Sequence, residues 1–408
     1  MIRVFKNVRV LEVAQFIFVP SAGVILAEWG ADVIKIEHPV RGDAQRGLAR
    51  VGGLAINPDR NPVIEHANRG KRSVGIDVST PEGRALIYQI AKTADVFLTN
   101  YLPSIRQKLQ IDVEHLRAVN PNIIYVRGSA HGEKGLERNL GGFDATAFWS
   151  RSGIANSVTP EELEVPLMPG IGGFGDSIGG MNIAAGVSAA LYHRSQTGEA
   201  LEVDVSLLSS AWWASGVAVN TATLSEKVTR NRMPAAGGAP GNPFIGNFKT
   251  SDGKTINLFT MQPGPHFRSL FEHLGRPELA DDARFCDAQA LMQNWQAASN
   301  CLVEAFAARP FAYWREHLKT YTGQWAPVQS FLEFAADEQA LANGMLIDVE
   351  AVDGGAPMRV ASGPVQFNQE SSTSTRAPAA SEHTESFLKE LGLTWDQITN
   401  LKDAGIIA

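Results

Sequence analysis

A chain of 408 residues, 44% hydrophobic and 19% charged, is too long for one ordinary core and too apolar to be disordered. Its net charge of −7 offers no basic face to nucleic acid or an anionic membrane. Its longest apolar stretch, residues 16–36, is broken by Pro20, Glu28 and Asp32, so neither partner is expected. Two cysteines, Cys286 and Cys301, and a start at Met1 without an apolar leader make the cytoplasm the expected setting.

Residues 8–13 alternate and are β-branched, residues 22–29 carry a helical pattern that stops at Gly30, and residues 32–37 are again strand-like. Strand, tight helix and strand in so short a length predict a βαβ unit with parallel strands. Residues 73–78 continue the alternation as a strand, and Thr80-Pro81 opens a helix with Thr80 as N-cap. Further strands are predicted at 95–99 and 123–127, with a helix between them from near Asp112 to Asn120-Pro121. This order predicts an α/β fold, a Rossmann-like large domain with a smaller α+β domain. No Gly-x-Gly-x-x-Gly turn follows the first strand, so a dinucleotide is not expected there.

Thirteen of the 38 glycines fall between Gly128 and Gly186, more than twice the proportionate share. A small-residue helix over 178–194 and a strand over 201–207 follow. The run from Pro234 to Asn242, with Gly237, Gly238 and Gly241, reads as a loop, and residues 246–261 as a hairpin turning at Ser251-Asp252-Gly253. Helices are predicted near 267–274, 295–307 and 311–319. The domains expected are 1–224 as the first part of the large domain, 225–330 as the small one, and 331–408 as a return to the large one. Residues 371–381, rich in Ser, Thr, Ala and Pro, read as a surface linker before a last helix that begins near Ser381.

The chemistry concentrates in residues 168–180. Gly175-Asp176-Ser177-Ile178-Gly179 is a literal G-x-S-x-G, the pattern of a serine nucleophile elbow, although Pro166, Pro169 and several glycines ahead of it suit a core strand poorly. Asp176 is the alternative nucleophile. A helix start keeps a carboxylate ionised, flanking glycines leave room for a bulky substrate, and a carboxylate can attack a thioester to give a mixed anhydride. A third reading makes Asp176 only a helix N-cap. The nine histidines show no metal-binding spacing, so no metal is expected. His131, near a turn, and Asp204, in an alternating strand, read as structural.

Several blocks in consistent order bear on the choice. They are residues 30–37 (GADVIKIE), Pro39 with Arg41-Gly42-Asp43 and Arg46, and Asn68-Arg69-Gly70-Lys71-Arg72-Ser73 with Asp77. Asn100-Tyr101-Leu102-Pro103 and Gly142-Phe143-Asp144 follow. The last is Gly175-Asp176 with Ala190-Leu191, Arg194, Thr197-Gly198 and residues 203–206. Over nearly its whole length the chain resembles the class III CoA-transferases, the family of formyl-CoA transferase and carnitine CoA-transferase. Residues 142–148 and 242–245 are similar to segments of its phenyllactate or 2-hydroxyacid CoA-transferase branch.

The resemblance implies an enzyme that moves coenzyme A between an acyl-CoA donor and a carboxylic acid acceptor. Asp176 is the implied nucleophile, and no cofactor beyond coenzyme A as co-substrate is implied. It further implies an interlaced homodimer. Coenzyme A would be held by Ile17 and Phe18 in the first loop, by His38, by Asn68, Arg69, Gly70 and Lys71, and by Asn100, Tyr101 and Leu102. Lys108 and the stretch Gly141, Gly142, Phe143 and Asp144 complete the set. Gly237, Gly238 and Gly241 resemble a loop that closes over the family's aspartate. His38 and Lys108 stand where formyl-CoA transferase has arginines, and Ile17 where it has a glutamine. Phe143 stands where the related α-methylacyl-CoA racemase has its histidine base, which counts against proton-transfer chemistry.

Overall fold

The structure, a computed structural model, describes residues 2–228, 230–233 and 235–408. Met1 and Pro234, both used in the reading above, lie outside the described residues. The chain forms two compact units, one running through Asn231 and resuming from Glu338 to Ala408, the other spanning Arg232–Asp337.

Six strands of the first unit build one sheet: β1 (Arg9–Val13), β2 (Asp32–Glu37), β3 (Arg72–Gly75), β4 (Val96–Thr99), β5 (Ile124–Ser129) and β6 (Glu202–Ser206). Their order is β3-β2-β1-β4-β5-β6 and every pairing is parallel. This is the doubly wound order, in which connections leave β1 and β4 toward opposite sides and open a crevice at the carboxyl ends. Both faces must then be covered, and the strands read accordingly. Val10, Val33, Leu98 and Val126 point to one apolar layer; Leu11, Ile34, Phe97 and Tyr125 point to the other.

The first layer is closed by α1 (Phe18–Glu28), which starts four residues before the apolar pattern suggested. Pro20 sits in its first turn, where a missing N–H costs nothing, so Phe18 is helical and not in a loop. α2 (Pro62–Asn68) is capped by Asn61, whose side chain accepts from the N–H groups of Val63 and Ile64. α3 (Pro81–Ala91) begins as predicted, with Thr80 Oγ1 accepting from Gly83 N at 3.0 Å. α4 (Pro103–Leu109) is an extra helix that leaves β4 almost at once, and α5 (Val113–Val119) is capped by Asp112.

The long α6 (Phe174–Thr197) lies against α1 and also starts earlier than its small-residue pattern. Its N-cap is Gly173, left-handed at φ 72°, so Asp176 is inside the first turn and is not a cap. The glycines beside it serve packing rather than substrate clearance. A Cβ on Gly175 would collide with Phe148 and Asp144, on Gly179 with Phe18, and on Gly180 with Ser21. After β6 come α7 (Leu207–Ala214) and α8 (Gly216–Ser225), the latter without a buried residue.

The end of the chain returns to the first unit. Ile407 bridges to Ile76 beside β3, and Asp77 N donates to Ile406 O at 2.8 Å. Residues 371–381 are not a free surface linker: Gly70 N donates to Thr375 O, Ala377 is buried with its N–H on Glu65, and Arg46 donates to Pro378 O.

In the second unit, β7 (Gly237–Ala239), β8 (Asn242–Lys249), β9 (Thr255–Phe259) and β10 (Trp325–Pro327) form an antiparallel sheet over a core of Phe244, Phe248, Phe271, Phe306 and Trp314. The predicted glycine loop is therefore in part a strand, over Gly237–Ala239. Gly237 and Gly238 pair with β8, Gly238 N donates to Ser299 Oγ at 2.8 Å, and Gly241, at φ 78°, turns the chain between β7 and β8.

Candidate active site

A cavity of about 400 Å³ opens at the carboxyl ends of β1, β4 and β5, where the strand order reverses. Gln15 and Phe16 follow β1, Asn100 to Pro103 follow β4, Ala130 follows β5, and Asp176 comes in from the first turn of α6. The crossing is tied by the backbone of Gln15. Its N–H donates to Asn100 Oδ1 at 3.1 Å, its carbonyl accepts from Asn100 Nδ2 at 2.6 Å, and its side chain reaches Tyr101 OH at 3.1 Å. Buried Arg106 grips Glu133 in the cavity wall with two nitrogens and donates to Tyr101 O, fixing the loop after β4.

Phe16 is held in the left-handed region at φ 65°, a conformation costly for a bulky side chain unless its surroundings over-determine it. They do. Phe16 N donates to Asp43 Oδ1 at 3.2 Å, and Phe16 O accepts from Gln45 Nε2 at 2.6 Å. Asp43 is in turn paired with Lys35 at 2.8 Å, and Lys35 with Glu12 at 3.2 Å, all with side chains fully buried. Burial opposes the Lys35 charge, but Asp43, Glu12 and Glu37 outweigh it and hold the ammonium above its ordinary value. The Phe16 ring meets Phe143 edge-on, centroids 5.3 Å apart. With Phe18 and Leu207 they give the cavity an apolar wall.

Asp176 is half-buried. Ile17 packs on the Gly173 turn that precedes it, where a Cβ on Gly173 would lie 3.0 Å from Ile17 Cδ1. Burial, and after it the charge of Asp144, pushes the Asp176 carboxyl up to about 7. Asp144 opens a π-helical segment (Asp144–Ser150) and is itself raised by burial. It takes over the capping of α6, accepting from Gly175 N at 3.2 Å. Two carboxyl groups thus share one helix start, and the charge of Asp144 disfavours ionisation of Asp176.

The expected site residues divide. Phe18, Asn100, Tyr101, Leu102, Gly141, Gly142, Phe143 and Asp176 line the cavity, while Ile17 and Asp144 do not line it but pack on the start of α6, against Gly173 and on Gly175 N. The block after α2 points into the protein. Lys71 is buried, its ammonium on both oxygens of Glu12 and on Pro20 O, so no N–H is left for a phosphate. Burial draws Lys71 down to about 8, against the pull of Glu12. Arg69 is buried against Glu28 at 2.7 Å, Asn68 is wholly buried, and Gly70 is a left-handed turn at φ 74°. His38 Nδ1 accepts from the N–H groups of Val40 and Arg41, and Lys108 is exposed on α4; neither lines the cavity.

Gln15, Phe16, Glu133, Thr146 and Leu207 line it unforeseen. His66 is also unforeseen: its Nε2 lies 2.9 Å from Ser177 Oγ. Gln15, Phe16, Glu133 and His66 carry no local motif, because each is held by partners far away in sequence. Ser177 is no elbow nucleophile in form, since no strand leads into α6. Among the described residues no His, Cys, Asp and Glu group could hold a metal ion, and no helix is long and apolar enough to cross a membrane.

The sequence model of CoA-transferase family III matches residues 5–384. A (R)-2-hydroxy-4-methylpentanoate CoA-transferase of Clostridioides difficile is 31% identical, the match covering 98% of this chain and 99% of that protein. A cinnamoyl-CoA:phenyllactate CoA-transferase of Clostridium sporogenes is 30% identical over 99% of this chain and 97% of its own length. Among solved structures, a CAIB/BAIF family protein from Brucella suis superposes with a TM-score of 0.80 at 26% identity, covering 95% of this chain and 98% of that one.

Proposed function

This chain belongs to CoA-transferase family III and is a CoA-transferase; we propose that it works through a covalent intermediate on Asp176. The observation that carries this reading is the Asp176 carboxyl, which lines the cavity from the first turn of α6 without an ion-pair partner among the described residues, whereas the other lining carboxylate, Glu133, is held by Arg106. Asp176 attacks the acyl-CoA carbonyl and the CoA thiolate leaves, giving a mixed anhydride. The thiolate then attacks the aspartyl carbonyl, releasing the donor acid and leaving an aspartyl-CoA thioester. The acceptor carboxylate attacks that thioester and expels the thiolate. The thiolate then takes the acceptor's acyl carbonyl, giving the new acyl-CoA and a free Asp176. The first amides of α6 favour negative charge developing there, and the aromatic wall keeps water from the anhydrides.

Coenzyme A is proposed to lie along Asn100 to Leu102 and Gly141 to Phe143, while Arg69 and Lys71 support the floor of the fold. The acid is proposed to carry a bulky apolar group, because Phe16, Phe18, Phe143 and Leu207 face it. The named substrates of the two relatives are of that kind. We also propose a cytoplasmic homodimer. α7 and α8 turn Trp213 and Val217 outward at 83% and 84% exposure, an apolar surface that a second copy would cover. Size-exclusion with light scattering should then return twice the chain mass.

The test is mass spectrometry of coenzyme A migration from a panel of acyl-CoA donors to 2-hydroxy acids, with hydroxylamine present in a parallel reaction. A hydroxamate at Asp176 that requires acyl-CoA supports the reading. Transfer with the label on Ser177, or no label, overturns it.

The pH profile follows from the same groups. Only the ionised carboxylate attacks, so kcat/KM should rise with pH through about 7 and level above it. Asp144→Asn keeps an oxygen for Gly175 N but removes the like charge, so the acidic limb should move to lower pH. An unmoved limb would show that Asp144 does not set it.

A further inference from the structure

His66 is a titratable side chain that no step of this chemistry uses. It projects from α2, and its Nε2 lies 2.9 Å from the hydroxyl of Ser177, the residue after the nucleophile. Ser177 Oγ in turn donates to Gly173 O at 2.8 Å, the carbonyl that also receives Ser177 N at 2.9 Å. With the hydroxyl proton on that carbonyl, the oxygen is left to accept, so His66 must be the donor, a neutral ring protonated on Nε2. Burial, and after it Arg69, holds the imidazole neutral, down to about 4. A serine nucleophile would need the reverse arrangement, its proton on the histidine.

This chain of hydrogen bonds ends on a residue that has little to fix it. Gly173 is the left-handed N-cap of α6, has no side chain, and makes no side-chain cap bond. The turn from Gly173 to Ser177 is instead pinned from outside, by a long bond from Ser21 Oγ to the Asp176 carbonyl at 3.4 Å and by two shorter links on either side of it. Asp144 holds it by the N–H of Gly175, and His66, through Ser177, holds it by the carbonyl of Gly173. Asp176 lies between the two anchors. A displacement of an attacking group by about 1 Å can cost about 100-fold in rate, so the second anchor matters to the nucleophile without touching it.

We propose that His66 is a positioning residue for Asp176, acting through Ser177. The proposal rests on the aspartyl mechanism above. The experiment compares wild type, His66→Ala, Ser177→Ala, the double variant and His66→Gln, whose amide restores an N–H donor. Each is followed by steady-state transfer and by the rate at which Asp176 becomes labelled from acyl-CoA in one turnover.

Expected for each alanine variant is a fall in kcat and in labelling rate of about 10- to 100-fold, with KM for acyl-CoA within about twofold. The double variant should be no slower than the single ones, because both remove the same link. His66→Gln should recover most of the loss. Single variants at wild-type rate, losses that multiply in the double variant, a change confined to KM, or a glutamine no better than alanine each overturn the proposal. If wild type itself never labels Asp176, the covalent mechanism falls. If wild type labels and His66→Ala labels equally fast, only the positioning role falls. Should His66→Ala not fold, Ser177→Ala and His66→Gln decide the question.

Discussion

Asp176→Ala leaves a folded protein whose transfer rate is lower by about 10⁴-fold or more, because the variant removes the atom that forms the covalent bond. The side chain carries no helix cap and no ion pair that the fold needs; capping falls to Asp144. The same residue makes a second, thermodynamic expectation. The carboxyl is at about 7 in the fold, against an ordinary value of 3.8, so the folded state binds more protons than the unfolded one between these values. Stability from this group is fully present below about pH 3.8 and is lost as the pH rises through about 7. Asp176→Asn should therefore melt higher than wild type at pH 8, with the difference vanishing near pH 4. A variant that loses activity and gains stability would mark a carboxylate kept at a cost to the fold. Equal melting at pH 8 would show that the carboxylate costs the fold nothing.

Glu12→Gln is expected to cost about 3–5 kcal/mol of stability, the range for removing one member of a buried ionic group. Glu12 sits on β1 between two lysines. Lys71 Nζ is 2.7 and 2.9 Å from its oxygens and Lys35 Nζ 3.2 Å away, with all three side chains fully buried. Gln keeps the shape and one acceptor but removes the one carboxylate that both ammonium groups share, leaving Lys71 without an ion partner and Lys35 with Asp43 and the more distant Glu37. Urea unfolding at pH 7 measures the difference, and a loss below about 1 kcal/mol would mean that Lys71 gives up its proton instead of the fold giving way. The same variant should reduce transfer in the fraction that stays folded, because Lys35 anchors Asp43, and Asp43 holds the backbone of Phe16 in its strained turn.

Much of the fold was legible because it is written in local patterns. The alternation of Val10 and Leu11 marks a strand buried on both faces, and Thr80-Pro81 marks a helix start whose cap is formed as predicted. α1 and α6 start earlier than their local patterns indicate for a common reason. Pro20 and the glycines before Ile178 look like breakers, yet proline is free in a first turn and Gly175, Gly179 and Gly180 are demanded by Phe148, Phe18 and Ser21 from other parts of the chain. The site divides in the same way. Asp176, Asn100 to Leu102 and Gly141 to Phe143 sit in short motifs and come together in the cavity. Lys71 and Arg69 sit in a motif as well, but their charges are consumed by Glu12 and Glu28, and no local pattern announces that a lysine faces inward. His66 and Ser177 are 111 residues apart and meet only in the folded chain.

The closure of β3 by the chain's last residues sets a timetable for synthesis. Gly75 N donates to Thr384 Oγ1 and Asp77 N to Ile406 O, partners more than 300 residues later in the chain. On a ribosome that feeds out about 5–20 residues each second, the edge beside β3 waits tens of seconds for the segment that covers it. The inner strands β1, β2 and β4 can pair long before, and Arg232–Asp337 emerges as a self-contained insertion in the interval. Nascent chains should thus spend that interval with an open sheet edge, the state in which parallel sheets are most prone to wrong partners. Whatever delays the burial of Ile406 and Ile407 prolongs the exposure of that edge.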